Sequence, residues 1–318
     1  MGERARVAFV FPGQGSQHVG MGKVLYDEFE VAKQTFMEAE EFSGLPLRRL
    51  CFDGPEEDLK RTEYTQPAVV TASIAALRVL ESESSLKPHC VAGHSLGEYS
   101  ALICVGALAF GDTLRIVRER GRLMQKAVPE GEGLMAVVLG LQAEDVQRIC
   151  EEASQGDVLA PANFNGGGQI VIAGVRAAVL RAMPMARERG AKKVLDLAVS
   201  APFHCPLMMP ASEGLKKVLA NVVVKPFSVG VISNVEATLN SDWGRVKSLL
   251  VEQAIRPVRW EESVKLMETM DCHHALEIGP GRVLKGLIKR ISPNLVVENF
   301  EVPGDLESSQ WIKPGIWN

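Results

Sequence analysis

Residues 93–97, Gly-His-Ser-Leu-Gly, carry the pattern of a serine nucleophile on a sharp turn. An apolar run at 89–92 precedes them and a helical pattern follows from Glu98, so the serine stands between a predicted strand and a predicted helix. Flanking glycines permit a turn so tight that the Ser95 hydroxyl projects from its tip. The Leu96 N–H lies at the helix N-terminus, where it can donate to an oxyanion. The segment predicts attack of Ser95 on a carbonyl, and an ordinary tight turn is the alternative.

A serine nucleophile needs a general base, and the chain has six histidines. His204 lies in residues 200–206, Ser-Ala-Pro-Phe-His-Cys-Pro, where two prolines stiffen the loop. This loop falls where a small predicted subdomain ends and the large one resumes, and active sites often form in such crevices. We predict that His204 is the base for Ser95, and a structural histidine is the alternative.

Arg120 is predicted to interrupt the buried face of a helix over residues 113–127. The residues three and four positions from it are all apolar: Ile116, Val117, Leu123 and Met124. A guanidinium cannot escape burial by losing its proton, and its planar fork suits a carboxylate. The sequence predicts either an internal ion pair or a substrate carboxylate held near Ser95.

A glycine-rich segment follows the first predicted strand at residues 11–17, Phe-Pro-Gly-Gln-Gly-Ser-Gln. It lacks both the P-loop pattern and the dinucleotide-binding pattern, so nucleotide binding is weakly supported. The segment can expose the Gln14 backbone N–H beside the strand that carries Ser95. An oxyanion hole needs two donors, so Gln14 is a candidate to join Leu96, with a plain glycine-rich turn as the alternative.

The elements that position these residues fall into three stretches. From Arg6 to about Ala127, strands alternate with helices, which predicts a parallel sheet covered on both faces. Residues 131–199 read instead as βαββαβ, the order of a ferredoxin-like unit. Its predicted strands and helices lie at 134–140, 143–153, 158–164, 169–174, 177–189 and 194–199. After Pro206 the first pattern resumes, and residues 301–318 lack periodicity and are predicted to be extended or loosely packed.

Composition limits the functions open to the chain. With 318 residues, 46% hydrophobic and 23% charged, it can bury a large core. We find no membrane-spanning run or signal peptide, so we expect a cytoplasmic protein with no membrane partner. A net charge of −4 argues against nucleic acid as a partner. The six cysteines have no C-x-x-C spacing, so we interpret them as reduced thiols rather than disulfides or zinc ligands, and we predict no metal site.

Taken together, the motifs resemble the malonyl-CoA:acyl carrier protein transacylases of fatty acid synthesis and the related acyltransferase domains of polyketide synthases. The resemblance extends to about residue 300, and its segments are 11–17, 93–97, 120–125, 163–165, 169–174, 201–204, 253–260 and 277–281. The tail has no counterpart in the pattern, and Phe203 stands where stand-alone enzymes often have serine. The fold prediction is an α/β-hydrolase-like large subdomain with a parallel sheet (1–130 and 200–300), an inserted ferredoxin-like small subdomain (131–199) and a tail (301–318).

The resemblance implies a role for each candidate residue. Ser95 becomes the acyl nucleophile, His204 the general base and acid, and Arg120 the clamp on the malonyl carboxylate. The N–H groups of Gln14 and Leu96 form the oxyanion hole. Three further residues complete the implied site: Gln253 to orient the histidine, and Phe203 and Asn163 to bind substrate. Phe203 in particular resembles a gate that favours malonyl over methylmalonyl groups.

The implied reaction moves a malonyl group from malonyl-CoA to the phosphopantetheine thiol of acyl carrier protein, through a malonyl-serine ester and without a tightly bound cofactor. Fatty acid synthesis is the expected pathway, and a trans-acting polyketide acyltransferase is one alternative. A serine thioesterase or esterase is another, with Asp271 and His274 completing a triad in the Ser, Asp, His order. A non-catalytic module that binds carrier protein would leave the pairing of Ser95 and His204 unexplained.

Overall fold

The computed structural model describes residues 6–197 and 201–309. Its strands are β1 (Arg6–Phe11), β2 (Cys90–Gly93), β3 (Gly133–Leu139), β4 (Leu159–Phe164), β5 (Gln169–Val175), β6 (Lys193–Asp196), β7 (Val231–Ile232), β8 (Leu239–Asn240), β9 (Cys272–Ile278) and β10 (Val296–Phe300). Its α-helices are α1 (Lys23–Glu28), α2 (Glu30–Ser43), α3 (Leu47–Phe52), α4 (Glu56–Leu59), α5 (Thr62–Glu83), α6 (Gly97–Cys104), α7 (Phe110–Lys126), α8 (Ala143–Ser154), α9 (Arg176–Glu188), α10 (Met209–Ala220), α11 (Val246–Gln253), α12 (Trp260–Thr269), α13 (Val283–Ile291) and α14 (Pro303–Ser308).

The larger sheet has the strand order β10-β9-β1-β2-β7-β8, and its first five strands run parallel. Alternate side chains of β1 enter two different cores: Val7 and Phe9 face one, while Ala8 and Val10 face the other. A strand that is apolar on both sides is typical of a parallel sheet between two helical layers. The predicted parallel sheet is confirmed. The short edge strand β8 differs, because it returns antiparallel to β7.

The smaller sheet has the order β4-β5-β3-β6, and every pairing in it is antiparallel. Helices α8 and α9 pack on one face of it, and a separate core joins them to β3 and β5. The βαββαβ order and the ferredoxin-like arrangement are confirmed. Its last strand ends at Asp196, while the predicted extension to residue 199 enters residues 198–200, outside the described chain. The subdomain boundaries stay predictions, and the described strands of this sheet fall at 133–196.

The start of the predicted tail is helical rather than extended. Proline opens α14, and the Asp305 carboxylate accepts hydrogen bonds from the N–H groups of Glu301 and Val302. A short helix closed by one aspartate leaves no periodicity to detect, so the expectation of an extended segment is wrong for Pro303–Ser308, while the alternative of loose packing agrees with the absence of buried residues in α14. Residues 310–318 lie outside the described part. In the part that is described, no helix is both long and apolar enough to cross a bilayer.

Candidate active site

Ser95 occupies a tight turn between the end of β2 and the start of α6. Its φ of 51° is left-handed, which a residue other than glycine rarely adopts. A Cβ on Gly93 would lie 1.9 Å from the carbonyl carbon of Gly97, and a Cβ on Gly97 would lie 2.0 Å from the carbonyl oxygen of Phe11. Both glycines are therefore required by close backbone approach. The turn matches the geometry that the sequence predicts.

Asn234 fixes this turn from the neighbouring part of the sheet, just after β7. Its Oδ1 accepts the Ser95 N–H at 2.6 Å, and its Nδ2 donates to the Gly93 carbonyl at 2.7 Å. Its own N–H donates to the Glu98 carboxylate at 3.2 Å. The buried side-chain amide of Asn234 thus holds the strained turn at two points, Gly93 and Ser95. Sequence reasoning missed it because the contacts span more than 130 residues.

The structure brings Ser95 and His204 into direct contact. Ser95 Oγ lies 2.7 Å from His204 Nε2, and His204 Nδ1 lies 2.7 Å from the backbone carbonyl of Gln253. A carbonyl only accepts, so Nδ1 carries the proton and Nε2 is free to accept from the serine. Gln253 therefore orients the histidine through its backbone and not through its side chain. The family resemblance implied Gln253 as this partner but did not indicate which of its atoms makes the contact.

His204 is held in its neutral form. Burial, followed by the positive charge of Arg120, lowers its pKa to about 3. A neutral imidazole hydrogen-bonded to a serine hydroxyl is the starting state for general base catalysis. His94, the residue before Ser95 in the chain, does not take the role of base, because its Nε2 lies 2.8 Å from Asn165 Oδ1.

Arg120 is 2% exposed and reaches the same serine, as its place on the apolar face of α7 predicts. Its Nη2 donates to Ser95 Oγ at 3.2 Å and to Gln253 Oε1 at 2.9 Å. Its Nη1 donates to Gln66 Oε1 at 3.0 Å, and its guanidinium carbon lies 5.4 Å from the Tyr99 ring centroid. Within the described residues no carboxylate oxygen comes within 4.0 Å of the guanidinium. The internal ion pair that the sequence left open is absent there.

Glu98 is the buried carboxylate nearest to this network, and sequence reasoning missed it. Its Oε2 accepts from Gln253 Nε2 at 2.6 Å, while the same Nε2 donates to the Ser95 carbonyl at 3.0 Å. Burial raises the pKa of Glu98 to about 7. The signal available in the sequence was an acidic residue at the start of the predicted helix that follows the serine turn.

The two candidate oxyanion donors, Gln14 and Leu96, lie just after the ends of two neighbouring parallel strands, β1 and β2. Strands β1 and β2 are in register at Phe11 and Gly93, so the 11–17 loop begins beside the serine turn. A Cβ on Gly13 would lie 2.3 Å from the His94 carbonyl oxygen, so glycine is required for this approach. In the described chain neither Gln14 nor Leu96 donates its N–H to another residue. Both donors are thus available for a ligand.

A cavity of about 370 Å³ opens over the serine, between the two sheets. Asn163, on β4 of the smaller sheet, lines it and bridges to Val258 of the larger unit. Phe203 also lines it and packs against apolar clusters of both units. The remaining residues that line the cavity are mostly apolar, among them Met124, Met135, Val137, Val171, Leu197, Val283, Leu284 and Leu287. All eight candidate residues except Leu96 and Gln253 line this cavity; Leu96 follows Ser95 in the chain, and Gln253 accepts from Arg120.

Asp271 and His274 lie away from the cavity. His274 pairs with Val7, whereas the serine turn begins opposite Phe11, four residues further along β1. Four residues of strand span about 13 Å. Asp271 is exposed and pairs with Arg6. The arrangement therefore gives no support to the hydrolase triad.

Comparison with known proteins points the same way. A family model for the acyl transferase domain matches residues 8–291. The malonyl CoA-acyl carrier protein transacylase of Escherichia coli (strain K12) is 43% identical over 302 residues, which cover 95% of this chain and 98% of the relative. An acyl carrier protein S-malonyltransferase structure from Vibrio cholerae matches with a TM-score of 0.93 at 45% identity, covering 95% of this chain and 99% of that one. A chain of a solved complex between a type II PKS acyl-carrier protein and its malonyl-transacylase (PlMCAT:AntF, holo) matches with a TM-score of 0.93 at 44% identity. The match covers 95% of this chain and 98% of that one.

Proposed function

The chain belongs to the acyl transferase domain family, among the malonyl-CoA:acyl carrier protein transacylases, and we propose that it moves malonyl groups from malonyl-CoA to the phosphopantetheine thiol of acyl carrier protein. One observation carries this proposal above all. Ser95 Oγ is shared between a neutral histidine at 2.7 Å and a buried arginine at 3.2 Å. A nucleophile with its base serves any acyl transfer, whereas a buried cation at the same atom favours an acyl group that bears a carboxylate.

The first half-reaction acylates the serine. His204 Nε2 takes the Ser95 proton while Oγ attacks the malonyl thioester carbonyl, and the resulting oxyanion accepts from the N–H groups of Gln14 and Leu96. When the tetrahedral intermediate collapses, the carbon–sulfur bond breaks. The imidazolium returns its proton to the departing sulfur, so free CoA leaves and a malonyl ester stays on Ser95.

The second half-reaction reverses these roles. His204 Nε2 takes the proton of the phosphopantetheine thiol as the sulfur attacks the ester, and the same two N–H groups hold the second oxyanion. Collapse returns the proton to Ser95 Oγ and leaves malonyl as a thioester on acyl carrier protein. The backbone carbonyl of Gln253 keeps His204 Nδ1 protonated throughout, so Nε2 handles every proton.

Three side chains are assigned to acyl recognition. Arg120 holds the malonyl carboxylate bidentately in place of its contact with Ser95 Oγ. An acetyl group would leave this buried cation without an anion, which disfavours acetyl transfer. Asn163 lines the cavity from the smaller sheet and is assigned to substrate binding, while Phe203 limits the space next to the histidine.

We place the reaction in cytoplasmic fatty acid synthesis, with no tightly bound cofactor. All six cysteines are free thiols, as suits a reducing compartment. The likeness to a malonyl-transacylase complexed with a type II PKS acyl-carrier protein keeps a polyketide role as the second candidate. The rates of malonyl transfer to a fatty acid carrier protein and to a type II polyketide carrier protein distinguish these pathways. We also propose the division into units at 1–130 with 200–300, 131–199 and 301–318.

Incubation with malonyl-CoA alone tests the proposed chemistry. Intact-protein mass should show one malonyl adduct, and the Ser95→Ala variant should show none because the ester has no oxygen to form on. His204→Ala should slow adduct formation by roughly 100- to 10,000-fold through loss of the general base. His274→Ala is the matched control and should acylate normally. Normal acylation of His204→Ala with failure of His274→Ala would contradict the proposal in favour of a hydrolase triad.

A further inference from the structure

Arg120 is held by amide oxygens, although carboxylates are the usual partners of a buried guanidinium. Gln66 Oε1 accepts from Nη1 at 3.0 Å and Gln253 Oε1 accepts from Nη2 at 2.9 Å. Both glutamines are themselves almost fully buried, at 1% and 0% exposed. An amide oxygen satisfies the hydrogen-bonding need of an N–H group but contributes no negative charge. The arginine is therefore fixed in direction by groups that carry no charge, and among the described residues no carboxylate contacts it directly.

Gln253 also stands between Arg120 and the buried carboxylate of Glu98. Its Nε2 donates to Glu98 Oε2 at 2.6 Å while its Oε1 accepts from Arg120 at 2.9 Å. The carboxylate fixes which way the amide points, because only the NH₂ end can face Glu98. Without this amide, the shortest way to satisfy both buried charges would be a direct pair between Glu98 and Arg120.

We propose that Gln66 and Gln253 are specificity-determining residues, which hold Arg120 in place while keeping it free of internal carboxylates, so that the substrate carboxylate is its counter-ion. This inference rests on the proposed function, in which Arg120 clamps the malonyl group. A carboxylate at either amide position would give Arg120 a permanent partner. A malonyl group would then bring a surplus negative charge into a buried site, and an acetyl group would bring none.

Gln66→Glu tests the inference because it changes charge at nearly constant shape. The rates of serine acylation by malonyl-CoA and by acetyl-CoA are measured from intact-protein mass. The malonyl-to-acetyl ratio should fall by roughly 10- to 100-fold, the range of one hydrogen bond to a charged group. Acetyl transfer serves as the internal control, since continued acetylation demonstrates that the variant is folded.

Gln66→Met is the matched control because it removes the amide without adding charge. Its acylation is expected to slow, but its malonyl-to-acetyl ratio should stay near that of the wild type. An equal fall of the ratio in Gln66→Met and Gln66→Glu would overturn the inference, since the amide itself would then matter and not its neutrality. An unchanged ratio in Gln66→Glu would overturn it directly.

Gln253→Met supplies a second test that does not depend on Gln66. This change keeps the backbone carbonyl that holds His204 but removes the amide between Glu98 and Arg120. The malonyl-to-acetyl ratio should fall, and adding Glu98→Gln should restore it. Arg120→Ala distinguishes the proposed clamp on malonyl from the proposed role of the two glutamines. If it leaves the ratio unchanged, the clamp itself is wrong; if it lowers the ratio while the glutamine variants do not, only the inference is wrong.

Discussion

At the scale of single residues, a fixed positive charge lies close to both members of the proposed catalytic pair, Ser95 and His204. Arg120 donates to Ser95 Oγ at 3.2 Å and helps to hold the pKa of His204 well below its ordinary value. A cation disfavours a neighbouring imidazolium and favours a neighbouring serine alkoxide. In the proposed reaction, malonyl binding brings a carboxylate to Arg120 and so weakens the opposition of Arg120 to an imidazolium at His204. The histidine becomes easier to protonate at the stage when it must carry a proton.

This coupling predicts the pH dependence of acylation. His204 must be neutral to act as base, and with a pKa of about 3 it stays neutral far below its ordinary pKa. Arg120→Ala removes the neighbouring charge, which raises that pKa, so the loss of activity on acidification should move to higher pH. Acetyl-CoA acylation rates are measured between about pH 5 and 8. With Arg120 present they should not change with pH, and without it they should fall toward the acidic end of this range.

Glu98 has a pKa of about 7, which lies within this pH range, so its titration must be removed from the comparison. Glu98→Gln does so while retaining an acceptor, because both of its hydrogen bonds end on one oxygen. Both profiles are therefore recorded in the Glu98→Gln background. Profiles of the same shape with and without Arg120 would contradict electrostatic control of His204.

At the scale of elements, the serine turn depends on how closely β1, β2 and α6 approach. Gly97→Ala would place a Cβ 2.0 Å from the Phe11 carbonyl oxygen, so α6 must move away from β1 and carry Ser95 with it. We expect acylation to fall by at least 100-fold, since a displacement of about 1 Å can cost that much. Intact-protein mass after exposure to malonyl-CoA measures the loss.

Gly286→Ala is the matched control for this change. Gly286 lies within α13, and a Cβ there meets nothing within 4 Å. Helix propensity alone should then stabilise the protein by about 0.5 to 1 kcal/mol, visible in denaturant unfolding, with acylation unchanged. Wild-type acylation by Gly97→Ala would show that the turn tolerates more separation than its contacts indicate.

The same elements show what the sequence could and could not reveal. Periodicity predicted the two kinds of sheet, and the spacing around Arg120 predicted its burial. These are local patterns, readable within a window of one element. Asn234, Gln66 and Glu98 were missed because each acts on a group far away in sequence, and a lone polar residue in an apolar helix has no local signature of its partner. The two-residue strand β8 is too short to show alternation.

At the scale of the whole molecule, the site is completed only where the two sheets face each other. The segments that follow the carboxyl ends of β1 and β2 present the candidate oxyanion donors and the serine, and open parallel sheets generally place their sites at this edge. The smaller sheet supplies the opposite wall through β3, β4 and β5. Chemistry thus comes from one unit and the shape of the acyl pocket from both. Changes at the junction should alter which acyl group enters before they alter the reaction itself.

Phe203 is the junction residue for which this expectation is sharpest. It stands next to His204, lines the cavity, and packs against clusters that contain Met124 of the larger unit and Met135 of the smaller one. In its proposed role, the ring fills the space that a 2-methyl branch on the substrate needs. Phe203→Ser should therefore shift competition between malonyl-CoA and methylmalonyl-CoA toward methylmalonyl by about 1 to 3 kcal/mol, the usual value of one methyl group in a pocket.

Loss of the ring also removes packing, so thermal unfolding of each variant accompanies the competition assay. Phe203→Leu keeps an apolar contact with both clusters while leaving more room, and its preference should fall between those of wild type and Phe203→Ser. If Phe203→Ser is less stable but competes with the wild-type ratio, Phe203 only joins the two units. If the ratio shifts in the order Phe, Leu, Ser, the same ring both seals the junction and limits the acyl group.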